Sequence, residues 1–162
     1  MKVSKAIAYA LHALMYMVRH STQLPVTTGT IAKAEGLPAA YLSKIFQKLV
    51  KGGLVRSVRG RNKGYVFAKP PEKISLLDLF EIIEKDSLFD ECLLKHCDCK
   101  GTPKNCNIYA SWLEATANIK ILFKEITLEK AAWNHPEHRF SDKLSFPELS
   151  KTGPKKKRTK QS

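Results

Sequence analysis

The stretch Thr27-Thr28-Gly29-Thr30-Ile31-Ala32-Lys33-Ala34-Glu35-Gly36-Leu37-Pro38-Ala39-Ala40-Tyr41-Leu42-Ser43-Lys44-Ile45-Phe46-Gln47-Lys48-Leu49 contains a helix stop followed at once by a helix start. Thr27 or Thr28 supplies a hydroxyl suited to capping a short helix that carries Ile31 and Ala32. Gly36 ends that helix, because glycine enters the left-handed conformation without steric cost. Pro38 suits the first turn of the next helix, where its missing N–H would have had no partner. That helix runs through Tyr41, Leu42, Ile45, Phe46 and Leu49 to Gly52 and Gly53. Two short helices joined by a tight glycine turn form a helix-turn-helix.

Both flanks extend this unit. Upstream, Val3, Ile7, Leu11, Leu14, Met15 and Val18 recur at three- and four-residue intervals as far as His20, which predicts an amphipathic helix ending before the Pro25 break. Downstream, Leu54 to Val58 and Tyr65 to Ala68 read as two short strands around Arg59-Gly60-Arg61-Asn62-Lys63-Gly64, a basic and flexible hairpin tip. Such a hairpin is a wing, and Pro70 and Pro71 close the unit. The expected fold is mainly α with a small β-wing: a winged helix-turn-helix over residues 1–71.

The charge distribution says what this unit is for. Residues 1–69 hold twelve Lys or Arg against the single acid Glu35, whereas residues 70–150 hold ten against fourteen acids, and the last twelve residues add six cations. A segment so depleted in acids suits a polyanion, because each neutralised phosphate releases condensed counterions. Duplex DNA is the expected partner. The second helix of a helix-turn-helix enters the major groove, so Ala39, Ala40, Tyr41, Ser43, Lys44 and Gln47 are the candidates to meet base edges. Gln47 has the amide to pair with adenine. Lys44, Lys48 and Lys51 have the spacing to meet phosphates, which position a protein without reading sequence. In the wing, Arg59 and Arg61 on a glycine-flexed tip suit a narrow, electronegative minor groove, with Arg56 and Lys63 beside them. Tyr65 reads as a packing residue at the wing base. There is no nucleophile elbow, P-loop or dinucleotide fingerprint, so no enzyme activity is expected.

Residues 72–132 read as a second region. Ser75 and Asp78 form an S-x-x-D capping box for a helix carrying Leu76, Leu79, Phe80 and Ile83. A loop over residues 86–106 follows. Then Ile108, Trp112, Ala115, Ile119, Leu122 and Ile126 alternate four- and three-residue steps, the pattern of a helix packed along a partner helix. A homodimer seam is the expectation, since the small core before it has little room for a helix this long. From Trp133 periodicity is lost, and residues 133–162 end in Gly153-Pro154-Lys155-Lys156-Lys157-Arg158, a basic tail expected to be disordered. No run of about 18 apolar residues occurs, so no membrane association is expected and a cytoplasmic protein is the default.

All four cysteines, Cys92, Cys97, Cys99 and Cys106, fall in the loop, as C-x4-C-x-C-x6-C. Thiolates are soft ligands preferred by iron-sulfur clusters, zinc and copper(I). Lys95, His96, Lys100 and Lys104 are interleaved, and neighbouring cations favour the thiolate that ligation and oxidation both require. The C-x-x-C knuckles of structural zinc do not occur. From spacing alone an iron-sulfur cluster, a zinc site and a metal-free thiol switch remain open.

The long first helix, the run Gly36-Leu37-Pro38-Ala39-Ala40-Tyr41-Leu42, the wing Ser57-Val58-Arg59-Gly60 ending in Gly64-Tyr65, and cysteines ahead of a dimer helix together resemble the Rrf-two superfamily of bacterial transcription regulators. The resemblance covers roughly residues 1–132. It implies a dimeric regulator, a repressor, whose loop holds a 2Fe–2S or 4Fe–4S cluster that reports redox state, iron or nitric oxide. Cys92 and Cys106 match the outer family ligands, and Cys97 and Cys99 both sit near the middle one. Where some members carry a histidine three residues past the last cysteine, this chain has Tyr109. Other members recruit an acidic or histidine ligand from the first helix, a role closed to Ala8 and open to His12.

Overall fold

The computed structural model describes residues 4–84, 89, 92 and 100–134. The first helix, α1, spans Lys5–Arg19. Its expected single apolar stripe is an understatement: eleven of its residues are buried, and among them Ala10 and Ala13 have no exposure at all. Small side chains let neighbouring helices approach α1 closely, and every other main helix of the first half packs on it.

Helix α2 (Thr28–Glu35) begins where Thr27 Oγ1 accepts a hydrogen bond from the Thr30 N–H at 3.1 Å, so Thr27 rather than Thr28 is the cap. Gly36 ends it in the left-handed region, with φ 71° and ψ 31°. The Leu37 N–H then donates to the Ala32 carbonyl at 2.8 Å, satisfying a helix-end acceptor while the Leu37 side chain is buried. Pro38 stands just before α3 (Ala39–Lys51), and its carbonyl accepts from the Leu42 N–H at 2.9 Å. The α3 face made of Leu42, Ile45, Phe46 and Leu49 is buried.

The wing is an antiparallel pair, β1 (Val55–Val58) and β2 (Gly64–Phe67), in the register Val55 with Phe67, Arg56 with Val66, Ser57 with Tyr65 and Val58 with Gly64. A third segment joins it: Val26 exchanges two backbone hydrogen bonds with Tyr65, at 2.8 and 3.2 Å. Tyr65 packs on Phe46 with ring centroids 4.7 Å apart, as expected of a residue at the wing base.

Helix α4 (Leu76–Glu84) opens with the capping box in full. The Ser75 N–H donates to Asp78 Oδ2 at 2.8 Å, and the Asp78 N–H donates to Ser75 Oγ at 3.1 Å. The long helix α5 spans Asn107–Glu125. Its periodicity reads on through Ile126, but the chain turns there. Leu76 N–H donates to the Ile126 carbonyl at 2.8 Å and Leu128 N–H to the Ile74 carbonyl at 2.9 Å, a short antiparallel bridge that reverses direction. A further helix, α6 (Leu128–Asn134), follows and packs on α1, with Leu128 and Ala132 buried. The tail expected from residue 133 therefore begins inside a helix. Thr127 Oγ1 accepts from the Lys130 N–H at 3.3 Å, an unread cap that starts this turn. Residues 135–162, with the rest of the expected tail, lie outside the described residues.

One core unites these elements. Leu14, Met17, Ile31, Leu42, Phe46 and Leu54 share it with Ile74, Leu79 and Leu128, so it runs across the boundary read at residues 71 and 72.

Candidate nucleic-acid interface and cysteine segment

The amphipathic pattern of α3 divides its side chains as expected. Ala39, Ala40, Tyr41, Lys44, Gln47, Lys48 and Lys51 are exposed, opposite the buried face. Two of them, and Ser43 beside them, are more constrained than the sequence suggests. Tyr41 meets Tyr9 of α1 edge-to-face, with centroids 5.7 Å apart, which holds the start of α3 against α1. Ser43 is half-buried; its hydroxyl donates to the Ala39 carbonyl at 3.0 Å and lies 3.3 Å from Thr28 Oγ1, so it ties α3 to α2. Lys48 Nζ donates to the Ile83 carbonyl of α4 at 3.2 Å, which gives this exposed lysine a partner inside the molecule.

The wing tip presents Arg59, Gly60, Arg61, Asn62 and Lys63, all exposed, and Arg56 is exposed on β1. Gly60 adopts φ 99°, a conformation that turns the tip and that side-chain-bearing residues rarely reach. The one acid of residues 1–69 faces inward. Glu35 is 6% exposed, with Arg19 Nη2 at 3.3 Å from Oε1 and His12 Nδ1 at 3.4 Å from Oε2. Among the described residues up to 69, the surface thus carries cations with no exposed carboxylate. A field of one sign raises the local concentration of a polyanion.

The same contact bears on the ligand role read for His12. Its ring is buried and turned to Glu35, between α1 and α2. Among the described residues no three of His, Cys, Asp and Glu converge as a metal site would need. Cys92 and Cys106 are both half-buried. Cys106 immediately precedes α5, delivered by a turn in which Asn105 Oδ1 accepts from the Thr102 N–H at 2.6 Å and the Cys106 N–H donates to the Thr102 carbonyl at 2.9 Å. Cys97 and Cys99, with His96, lie outside the described residues. Phe89 is buried against Phe80 of α4 and Phe123 of α5, with centroids 5.9 and 6.0 Å away, and so joins both helices three residues before Cys92.

Helix α5 buries only Thr116 fully. Ile119 and Phe123 pack toward the core, but Ile108, Ile121 and Leu122 stay more than half exposed, and Ile126 is 39% exposed. A shallow groove of about 440 Å³ lined by Asn107, Ile108, Ser111, Trp112 and Ala115 continues this apolar face. Isolated exposed apolar residues are ordinary, and Ile121 falls on the opposite side of the helix, but Ile108, Trp112, Ala115 and Leu122 share one face by the helical repeat, and such an apolar face marks an interaction surface. No described helix is long and apolar enough to cross a membrane.

Comparison with known proteins places these features in a family. The Rrf2 model, described as an iron-dependent transcriptional regulator, matches residues 3–133. A chain of Aquifex aeolicus named as an HTH-type transcriptional regulator is 32% identical over 138 residues, covering 85% of this chain and 95% of that one. The HTH-type transcriptional regulator IscR of Vibrio parahaemolyticus is 29% identical over 143 residues, covering 88% and 84%. Among solved structures, T. potens IscR superposes with a TM-score of 0.64 at 26% identity, covering 87% of this chain and 93% of that one. CymR, the global cysteine regulator of B. subtilis, superposes with a TM-score of 0.69 at 22% identity, covering 84% and 99%, and so supports the fold.

Proposed function

The chain belongs to the Rrf2 family of transcriptional regulators, and from that premise we propose that it is a bacterial, cytoplasmic homodimer that represses its operators while an iron-sulfur cluster occupies the cysteine segment. DNA-binding regulation follows from the family. The observation that carries the operator contact is the inward-facing Glu35, which leaves α3 and the wing as an acid-free basic surface. In this reading Ala39, Ala40, Tyr41, Lys44 and Gln47 approach base edges, Ser43 braces them, and Arg56, Arg59, Arg61 and Lys63 follow the backbone and minor groove.

Arg59→Ala is expected to weaken duplex binding by about 1–3 kcal/mol, and Lys51→Ala to weaken it modestly while lowering the salt slope by about one unit. Fluorescence anisotropy across salt concentrations measures both. Equal affinity of Arg59→Ala and the wild type rules out the wing contact.

The donor set suits the cofactor. Four thiols within fifteen residues are soft ligands, and the two described ones are half-buried. Cys92 and Cys106 would hold the outer positions, with Cys97 or Cys99 between them. His12, committed to Glu35, is the weaker candidate for a fourth position. When bound, the cluster supplies an iron centre responsive to redox state, iron supply and nitric oxide. A zinc site or a metal-free thiol switch is the second reading, since clustered thiols among cations suit either. Iron, sulfide and zinc analysis of anaerobically purified protein, with its visible spectrum, separates the three. Loss of the occupant is expected to lower operator affinity by about 1–3 kcal/mol.

The exposed strip on α5 supports the dimer. Leu122→Glu places a carboxylate in its middle and is expected to raise the dimer dissociation constant by roughly 30-fold, the scale of a buried hot-spot residue. Sedimentation velocity reads the shift, and an unchanged dimer would remove α5 from the seam.

A further inference from the structure

The last turns of α3 and α4 are joined by two unlike contacts. Lys48 Nζ donates to the Ile83 carbonyl at 3.2 Å, placing a cation against the backbone of the last described turn of α4. One turn further on, Gly52 closes α3 directly against Ile82: a Cβ at Gly52 would stand 2.5 Å from Ile82 Cδ1 and 2.6 Å from Cγ1. The same turn of α4 is held to the start of α1, where Ser4 Oγ donates to Glu84. In the sequence the cysteine-bearing span follows α4 directly, and Phe89 seats its beginning on Phe80 of α4. The last described turn of α4 therefore links α3 to the helix on which Phe89, three residues before Cys92, is seated.

We propose that Lys48 and Gly52 form the joint through which the state of the cysteine segment reaches α3, with Lys48 acting as a positioning residue and not as a phosphate contact. This rests on the reading that the cysteine segment controls operator affinity. The joint tolerates little displacement. A movement of the last α4 turn by about 1 Å either breaks the hydrogen bond or drives Ile82 into the α3 backbone, because close-packed contacts do not deform continuously. Helix α3 must follow, and in a dimer whose half-sites lie about one DNA turn apart, a tilt at each α3 misaligns both contacts.

The test uses the full-length homodimer and a duplex that the wild-type chain selects from a random library. Two quantities are compared in wild type, Lys48→Met, Lys48→Arg and Gly52→Ala, each first shown to fold by thermal melting. One is the ratio of duplex affinities between protein reconstituted anaerobically with iron and sulfide and the same protein stripped with chelator. The other needs no metal: the rates at which Cys92 and Cys106 of stripped protein are alkylated with and without duplex, which linkage ties to the same coupling. In wild type the affinity ratio is expected to be about fivefold or more, with a duplex-dependent alkylation rate. In Lys48→Met and Gly52→Ala the ratio is expected to fall toward one and alkylation to ignore the duplex, while Lys48→Arg, which keeps a donor, restores both. If Lys48→Met weakens both forms equally and leaves the ratio intact, the lysine is a phosphate contact and the joint is overturned while the regulatory reading stands. A wild-type ratio of one with unresponsive thiols overturns the regulatory reading, and the joint falls with it.

Discussion

Gly64→Ala is expected to destabilise the protein by roughly 3–5 kcal/mol, combining backbone strain with the loss of two hydrogen bonds. Gly64 adopts φ 155°, and a Cβ there would lie 2.7 Å from the Val26 carbonyl oxygen and 2.8 and 2.9 Å from its carbonyl carbon and nitrogen. These are backbone atoms, so no side chain can swing aside. The strand must separate from Val26, and the Tyr65 N–H and carbonyl, now bonded to Val26 at 2.8 and 3.2 Å, lose their partners. The wing would then hang from β1 alone, so duplex affinity should fall with stability. For a chain of this size the melting midpoint should drop by about 10 °C or more. Gly60→Ala is the control: φ 99° also disfavours a side chain, but nothing lies within 4 Å, so only local strain of about 1–2 kcal/mol is expected. Equal, small losses in the two variants would show that the contact between Val26 and Gly64 does not hold the wing.

The second large effect belongs to Glu35. Its carboxylate lies among side chains that are themselves about nine-tenths buried, Arg19 at 13% and His12 at 10% exposure. Glu35→Ala leaves the Arg19 guanidinium inside the α1–α2 contact without a counter-charge, and removing one member of such a pair typically costs about 3–5 kcal/mol. Arg19 retains some access to water, which favours the lower end of that range. Glu35→Gln keeps an acceptor and should cost less. The double variant Arg19→Met, Glu35→Leu removes both charges together and should recover most of the loss. Urea denaturation reads all three. Because Glu35 does not face solvent, the affinity of folded Glu35→Gln for duplex should stay close to wild type. A Glu35→Ala variant as stable as wild type would mean that the cluster contributes nothing to holding α2 on α1.

Where the chain signals act within a few residues, the sequence is readable. The Thr27 cap, the left-handed Gly36, the Ser75–Asp78 box and the division of α3 into Leu42, Ile45, Phe46 and Leu49 against Tyr41, Lys44 and Gln47 all stand as expected. Each depends on a hydrogen bond between neighbours or on a helical repeat. The basic, acid-poor front surface is legible for the same reason, since a count of charges along 69 residues needs no coordinates. The fate of individual members is not. Ser43 and Lys48 look like free polar groups from their spacing, and only the positions of Ala39 and Ile83 show what they bond.

Residue chemistry and local order along the chain were thus enough for the helix ends, the wing, the basic front half and the clustered thiols. Other features arise only when distant segments meet. Val26 completes the wing by pairing with Tyr65, Ile74 and Leu128 reverse the chain into α6, α1 is enclosed on most sides, and His12 is buried against Glu35. The reason is physical. A cap or a glycine turn is stabilised by atoms a few bonds away, whereas the partner of a buried polar group, or the backbone against which a glycine is pressed, is chosen by the packing of the whole core.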